Sequence, residues 1–217
     1  MTFPSSIRPW LLTIPATGDT LELITQAGTL PWVGIMCHPH PLYQGTMDNK
    51  VVATVVRAWQ KLGWHTVRFN YRGVGQSTGT YGHATGEVAD LQAIIQWVQQ
   101  ALPHAHIYLG GFSFGAYIAA RGILPSYKGL LSVAPAVANQ DYTKVTIPTT
   151  LPWDILMGEQ DEIVSFEAVK TWSTLQANDH PQLQFHTLPE ASHFFHGQLP
   201  WVASRAQAAA ERAMAAL

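Results

Sequence analysis

The most constraining stretch of this sequence is Gly111-Phe112-Ser113-Phe114-Gly115. Before it, His106–Leu109 reads as a buried strand; after it, Ala116–Arg121 reads as a helix. A chain that passes from strand to helix within so few residues must turn sharply. A Cβ at Gly111 or Gly115 would crowd the adjoining strand and helix, so glycine at both positions is what such a turn requires. The arrangement therefore predicts a βα unit with one serine held at its apex.

The rest of the chain repeats that alternation. Leu21–Ala27, Trp32–Cys37, His65–Phe69, Leu130–Val133, Ile155–Met157 and Leu183–Leu188 are short apolar or alternating runs, read as strands. Val51, Val52, Val55, Val56, Trp59 and Leu62 recur on one helical face, with Asp48 as the expected cap and Gly63 as the stop. Val88, Leu91, Ile95, Val98 and Leu102 form a second face, ended by Pro103. Ser165 opens a helix through Val169, Trp172 and Leu175, and Trp201–Leu217 is an Ala-rich C-terminal helix. Strands alternating with helices predict a mostly parallel sheet covered on both faces, an α/β fold of three layers. No internal repeat or linker-like stretch divides the chain, so residues 1–217 are expected to form a single domain.

Composition removes several classes of function. The chain has 217 residues, a net charge of −2 and no cluster among its 12 basic residues, which argues against nucleic acid as a partner. Met1–Trp10 lacks the apolar core of a secretory signal, and no run is long enough to span a bilayer. A lone Cys37 can form no internal disulfide. Together these predict a cytoplasmic protein. Only 12% of residues are charged, about half the usual share, so an apolar exterior patch is expected, either a homodimer contact or a broad substrate face.

The serine at the turn has the setting of a nucleophile elbow, with its hydroxyl at a helix N-terminus where developing negative charge is favoured. A serine hydroxyl needs a base, and the base needs an orienting acid. Downstream, the Ile155–Met157 strand ends in Gly158-Glu159-Gln160-Asp161-Glu162, and the Leu183–Leu188 strand in Pro189-Glu190-Ala191-Ser192-His193-Phe194-Phe195-His196. Ser113, Asp161 and His193 are thus the expected catalytic residues, all past strand ends on the edge where open α/β sheets bind ligands. Glu162 and Asp141 are the competing acids, and His196 the competing base. His38, His40, His193 and His196 lack the paired spacing of a metal site, so neither a metal nor a cofactor is expected. Cys37 reads as a small buried hydrophobe, and Arg72 as half of a structural ion pair.

These motifs resemble the α/β-hydrolase superfamily, and within it a small lidless group of bacterial serine hydrolases related to the dienelactone-hydrolase and esterase branches. The resemblance rests on His38-Pro39-His40-Pro41, Gly45-Thr46-Met47-Asp48-Asn49-Lys50, Arg68–Ser77, Gly110–Ala116, Gly158–Asp161 and Ser192-His193, in the family's order along nearly the whole chain. It implies an oxyanion hole of two backbone N–H groups. One is that of Phe114, after the nucleophile. The other comes from the His38–Pro41 loop, at His40 or at Leu42, since Pro39 and Pro41 have no N–H. Pro39 stands where the family pattern has glycine. Pro135 to Pro152, where larger members insert a cap domain, is too short for one here, so an open cleft lined by Phe112, Phe114, Phe194, Tyr43 and Tyr71 is expected. The implied activity is hydrolysis of small-molecule acyl esters through an acyl-enzyme. Thioester or peptide hydrolysis, and a non-catalytic binding role for the same fold, are the alternatives. With an imidazole base of ordinary basicity, activity is expected to rise from mildly acid to neutral pH.

Overall fold

The structure is a computed structural model that describes residues 3–217. The elements are β1 (Ser6–Thr13), β2 (Thr20–Gln26), β3 (Trp32–Cys37), α1 (Lys50–Lys61), β4 (His65–Phe69), α2 (Thr85–Ala101), β5 (His106–Phe112), α3 (Phe114–Arg121), β6 (Gly129–Val133), β7 (Trp153–Gly158), α4 (Phe166–Ala177), β8 (Leu183–Leu188) and α5 (Leu199–Ala215). All the strands join one sheet in the order β1-β2-β4-β3-β5-β6-β7-β8. From β4 to β8 neighbours run parallel, while β2 is antiparallel to both β1 and β4.

Helices cover both faces, and consecutive residues of β5 show it. A Cβ on Gly110 would meet the Trp59 ring of α1, whereas one on Gly111 would meet the backbone of α3. Side chains alternate across a strand, so α1 and α3 lie on opposite faces. Gly34 of β3 makes room for the same Trp59 ring. Around it Trp32 stacks on Trp64 at 4.8 Å, and Tyr108 meets Trp59 edge-on at 5.5 Å. These four aromatics are fully or almost fully buried, which accounts for much of the chain's tryptophan.

Three details differ from the sequence expectations. The cap of α1 is Asn49, whose side chain accepts the Val51 N–H at 2.9 Å, while Asp48 pairs with Arg68 at 2.7 Å. Strand β5 continues through Gly110 and Gly111 to Phe112, because two glycines leave its ladder to β3 and β6 intact. Strand β1 was not foreseen. It is the sheet's edge, with Pro9 inside a register shift and mostly exposed side chains, so it shows no clean alternation.

Parallel pairing sets the carboxyl ends of β3, β4, β5, β6, β7 and β8 along one edge of the sheet. The loops that follow these strands carry the predicted site residues.

Candidate active site

Ser113 sits between the last residue of β5 and the first of α3, at φ 57° and ψ −115°. That backbone conformation is costly for a residue with a Cβ, on the order of 1–3 kcal/mol, and persists only where the surroundings enforce it. Here they do. A Cβ on Gly111 would lie 2.0 Å from the Gly115 carbonyl oxygen, and one on Gly115 would lie 2.4 Å from that of Cys37. Strand, helix and the exit of β3 thus touch through backbone alone. The Ser113 N–H donates to the Val133 carbonyl at 2.8 Å, tying the turn to β6. Phe114 is the first residue of α3, so its N–H has no partner within the helix.

Asp161 and His193 meet across the ends of β7 and β8. Imidazole Nδ1 lies 2.7 Å from Asp161 Oδ2, with both side chains buried. The other carboxylate oxygen, Oδ1, accepts the N–H groups of Ile163 at 2.9 Å and Val164 at 2.7 Å. The turn after β7 therefore aims the free oxygen at the imidazole. Glu162, the neighbouring acid, accepts the backbone N–H of His193 at 3.1 Å and holds the loop instead of the ring. Asp141 caps a 3-10 turn and pairs with Lys144 at 3.1 Å. His196 is exposed. Phe112, the residue before Ser113, lies with its ring 4.9 Å from that of His193. Among the described residues Ser113 Oγ and His193 Nε2 are not hydrogen-bonded to each other.

The His38–Pro41 loop lies against the elbow. His38 is buried, and its two ring nitrogens meet the Pro39 carbonyl at 2.7 Å and the Tyr71 N–H at 3.1 Å. Burial lowers its pKa to about 3, so it is a neutral clasp between the loops after β3 and β4. His40 packs its ring 4.7 Å from that of Phe114. Its Nδ1 accepts the Leu42 N–H at 3.2 Å, and its Nε2 lies 3.1 Å from the Tyr81 hydroxyl. The Leu42 N–H is thereby engaged, whereas that of His40 has no hydrogen-bond partner among the described residues. Tyr81 is not among the residues that the sequence singles out; it lies in a glycine-rich loop with no motif to mark it.

Neighbouring loops are braced by buried polar groups. Arg72 grips the buried Asp90 through Nη2 at 2.7 Å and Nε at 3.0 Å, as the ion-pair reading expected. Glu22 accepts from Asn70 at 2.8 Å, and Asn70 accepts the Met47 N–H at 2.8 Å. Cys37 is fully buried and burial pushes its thiol up to about 12, which leaves it inert. Among the described residues, no three His, Cys, Asp or Glu side chains gather as metal ligands. No helix among them is long and apolar enough to cross a membrane.

The expected aromatic wall needs correction. Phe112, Phe114 and Tyr71 are buried within the core and form no exposed wall. Of the expected wall, Tyr43 is exposed, and further exposed apolar surface comes from Leu42 beside it and from Ile163 on the loop after β7. A groove of about 190 Å³ lies between Asn49–Val51 and Phe194, His196, Gly197 and Leu199. A larger cleft of about 600 Å³ lies elsewhere, between β1 and α2, lined by Trp10, Leu12, Ile14 and Trp97 among others.

Comparisons with known proteins agree with this architecture. A family model described as the alpha/beta hydrolase fold matches residues 45–121. An uncharacterized protein of Rickettsia prowazekii is 36% identical over 171 residues, covering 75% of this chain and 71% of its own. An alpha-beta serine hydrolase homologue from Coxiella burnetii is 39% identical, covers 95% of this chain and 99% of its own, and superposes with a TM-score of 0.84. A Xanthomonas campestris protein, described as an a/b serine hydrolase without lid, is 34% identical, covers 98% and 97%, and has a TM-score of 0.87.

Proposed function

Given that the chain belongs to the alpha/beta hydrolase family, we propose that it is a serine hydrolase of carboxylic esters. The observation that carries the reading is the buried Asp161–His193 hydrogen bond at 2.7 Å, on the same sheet edge as a serine held at positive φ. An imidazole whose Nδ1–H is engaged by a carboxylate presents its Nε2 as a base.

The reaction is a double displacement. His193 Nε2 takes the Ser113 proton as Oγ bonds to the ester carbonyl carbon. The negative charge that forms on the carbonyl oxygen is held by the backbone N–H groups of Phe114 and His40. The tetrahedral intermediate collapses, the ester C–O bond breaks, and His193 returns its proton to the departing alcohol. Water then repeats the cycle on the acyl-enzyme, releasing the acid and restoring Ser113. Asp161 keeps the imidazole oriented and stabilises its cation. With no cap domain over the edge, the exposed Leu42, Tyr43 and Ile163 offer an open apolar rim to the acyl or alcohol part of the substrate.

A fluorophosphonate probe with intact-mass and peptide analysis tests this. Labelling at Ser113, with hydrolysis of acyl esters of graded chain length, is the expected result. A folded protein that neither labels nor cleaves any ester would refute the proposal. Matched oxygen and thiol esters, run side by side, separate an esterase from a thioesterase.

A further inference from the structure

We infer that Tyr81 is a positioning residue for the oxyanion-stabilising loop and acts through the ring of His40; this rests on the esterase reading above. The starting point is the tautomer. Leu42 N–H donates to His40 Nδ1 at 3.2 Å. A ring nitrogen that accepts carries no proton, so the neutral ring bears its hydrogen on Nε2. Nε2 faces Tyr81 Oη at 3.1 Å, so Nε2–H donates to the phenol oxygen. The ring is thus held at both nitrogens. It is also flanked by the rings of Tyr43 at 4.9 Å, Tyr81 at 5.1 Å and Phe114 at 4.7 Å.

The ring matters because of what its backbone does. The His40 carbonyl accepts from the N–H groups of Tyr43 and Gly45, both at 3.1 Å, and the ring takes the Leu42 N–H. The N–H groups of Leu42, Tyr43 and Gly45 are thus engaged within this tight turn, while the His40 N–H has no partner among the described residues and is left for an oxyanion. Its direction depends on the turn, and the turn depends on Nδ1 staying unprotonated and aimed at Leu42. Burial disfavours the imidazolium form, which could not accept that bond. Tyr81 secures the same state from the other side. It is placed to do so because the next residue, Gly82, donates its N–H to the buried Glu87 at 2.7 Å, anchoring this part of the loop to α2.

Without the Tyr81 hydroxyl, Nε2–H loses its partner and the ring can turn or change tautomer. The Leu42 bond then weakens and the His40 N–H drifts. That donor serves the transition state alone, so its drift lowers kcat and leaves KM in place. Loss of a whole oxyanion donor costs about 10² to 10³ in rate, and a misaimed one is expected to cost about ten-fold.

The experiment measures three things on Tyr81→Phe. Steady-state kinetics should show kcat reduced about ten-fold with KM within about two-fold. Imidazole ¹⁵N shifts of His40 should report an Nε2–H tautomer in the parent protein and a mixed population in the variant. In a His40→Asn background, where the Asn side chain can still accept the Leu42 N–H, adding Tyr81→Phe should cost less than about two-fold, because the relay is already gone. The same ten-fold loss in both backgrounds overturns the inference, as does a raised KM at unchanged kcat. An Nδ1–H tautomer in the parent protein overturns it too. If the parent protein cleaves no ester, it is the esterase reading that fails, and the tautomer and its response to Tyr81→Phe still decide the placement of His40.

Discussion

His193 and Asp161, thirty-two residues apart in the chain, are joined Nδ1 to Oδ2 at 2.7 Å. Their side chains are 3% and 0% exposed. The carboxylate is not free to choose another partner, because two N–H groups of its own turn occupy Oδ1. An acid so restrained sets both the tautomer and the tilt of the imidazole. Asp161→Asn should therefore keep the fold and lower kcat by about 10⁴, the scale expected when the orienting acid of a triad is neutralised. Ser113→Ala and His193→Ala should each cost at least as much, and the double variant little more than either alone. Ester turnover with active-site titration checks this; additive losses would show that the residues do not act as a unit.

The strained serine makes a separate prediction about stability. At φ 57° a glycine is relaxed where serine is not. Ser113→Gly should abolish activity and raise the unfolding free energy relative to Ser113→Ala by about 1 kcal/mol. Urea denaturation of the two variants provides the comparison, and equal midpoints would mean that the turn stores no strain. Gly115→Ala should do the opposite, since its Cβ would press on the Cys37 carbonyl.

Arg72 and Asp90 are close enough for two hydrogen bonds, yet burial pushes the Asp90 carboxyl up in spite of the guanidinium. Burial cost outweighs attraction at that carboxylate, so the pair organises the loop more than it stabilises the protein. Removing one partner is another matter. Arg72→Ala strands a buried carboxylate and should cost about 3 kcal/mol, while Arg72→Met with Asp90→Leu should recover most of it. Guanidinium melts of the single and double variants measure the difference. A double variant as unstable as the single one would point to a net stabilising pair.

Activity against pH should show one rising limb with unit slope. In the proposed reaction the base that takes the Ser113 proton must arrive unprotonated, so kcat/KM is expected to rise with pH. His38 contributes no second step there, because burial lowers it to about 3. A limb of slope two in a log plot would show a second ionisation and contradict this assignment.

Acid stability follows from the same clasp. In the unfolded chain His38 titrates near 6.5; in the folded protein it does so only near 3. Between those values the unfolded state binds the extra proton, so the contribution of neutral His38 is fully present above pH 6.5 and is lost as pH falls toward 3. At about 1.4 kcal/mol per pKa unit the loss amounts to several kcal/mol. His38→Gln should start less stable and show a flatter Tm profile across this window. An equally steep decline would assign the acid sensitivity to other groups.

What the sequence determined by itself is whatever is decided over a few neighbouring residues. The apolar period of Val51–Trp59, the run of β3 and the glycines around Ser113 are local facts of spacing and volume, so the βα alternation and the elbow were legible. The expected order of serine, acid and histidine came from strand ends read together with the α/β-hydrolase arrangement. Tertiary structure decided what depends on direction. Asp161 and Glu162 are adjacent in the chain; the turn N–H groups of Ile163 and Val164 aim the first at the imidazole, and Glu162 takes the His193 backbone N–H. Leu42 and His40 differ as backbone donors only because the His40 ring reaches the first and leaves the second open. Phe112, Phe114 and Tyr71 prove to be core residues because folding buries all three rings. Strand β1 shows no clean pattern because Pro9 lies within a register shift and the strand pairs with the sheet along one side only. Periodicity and sterics act along the chain, whereas the pairing of a particular hydrogen-bond donor with a particular acceptor exists only once the loops are packed together.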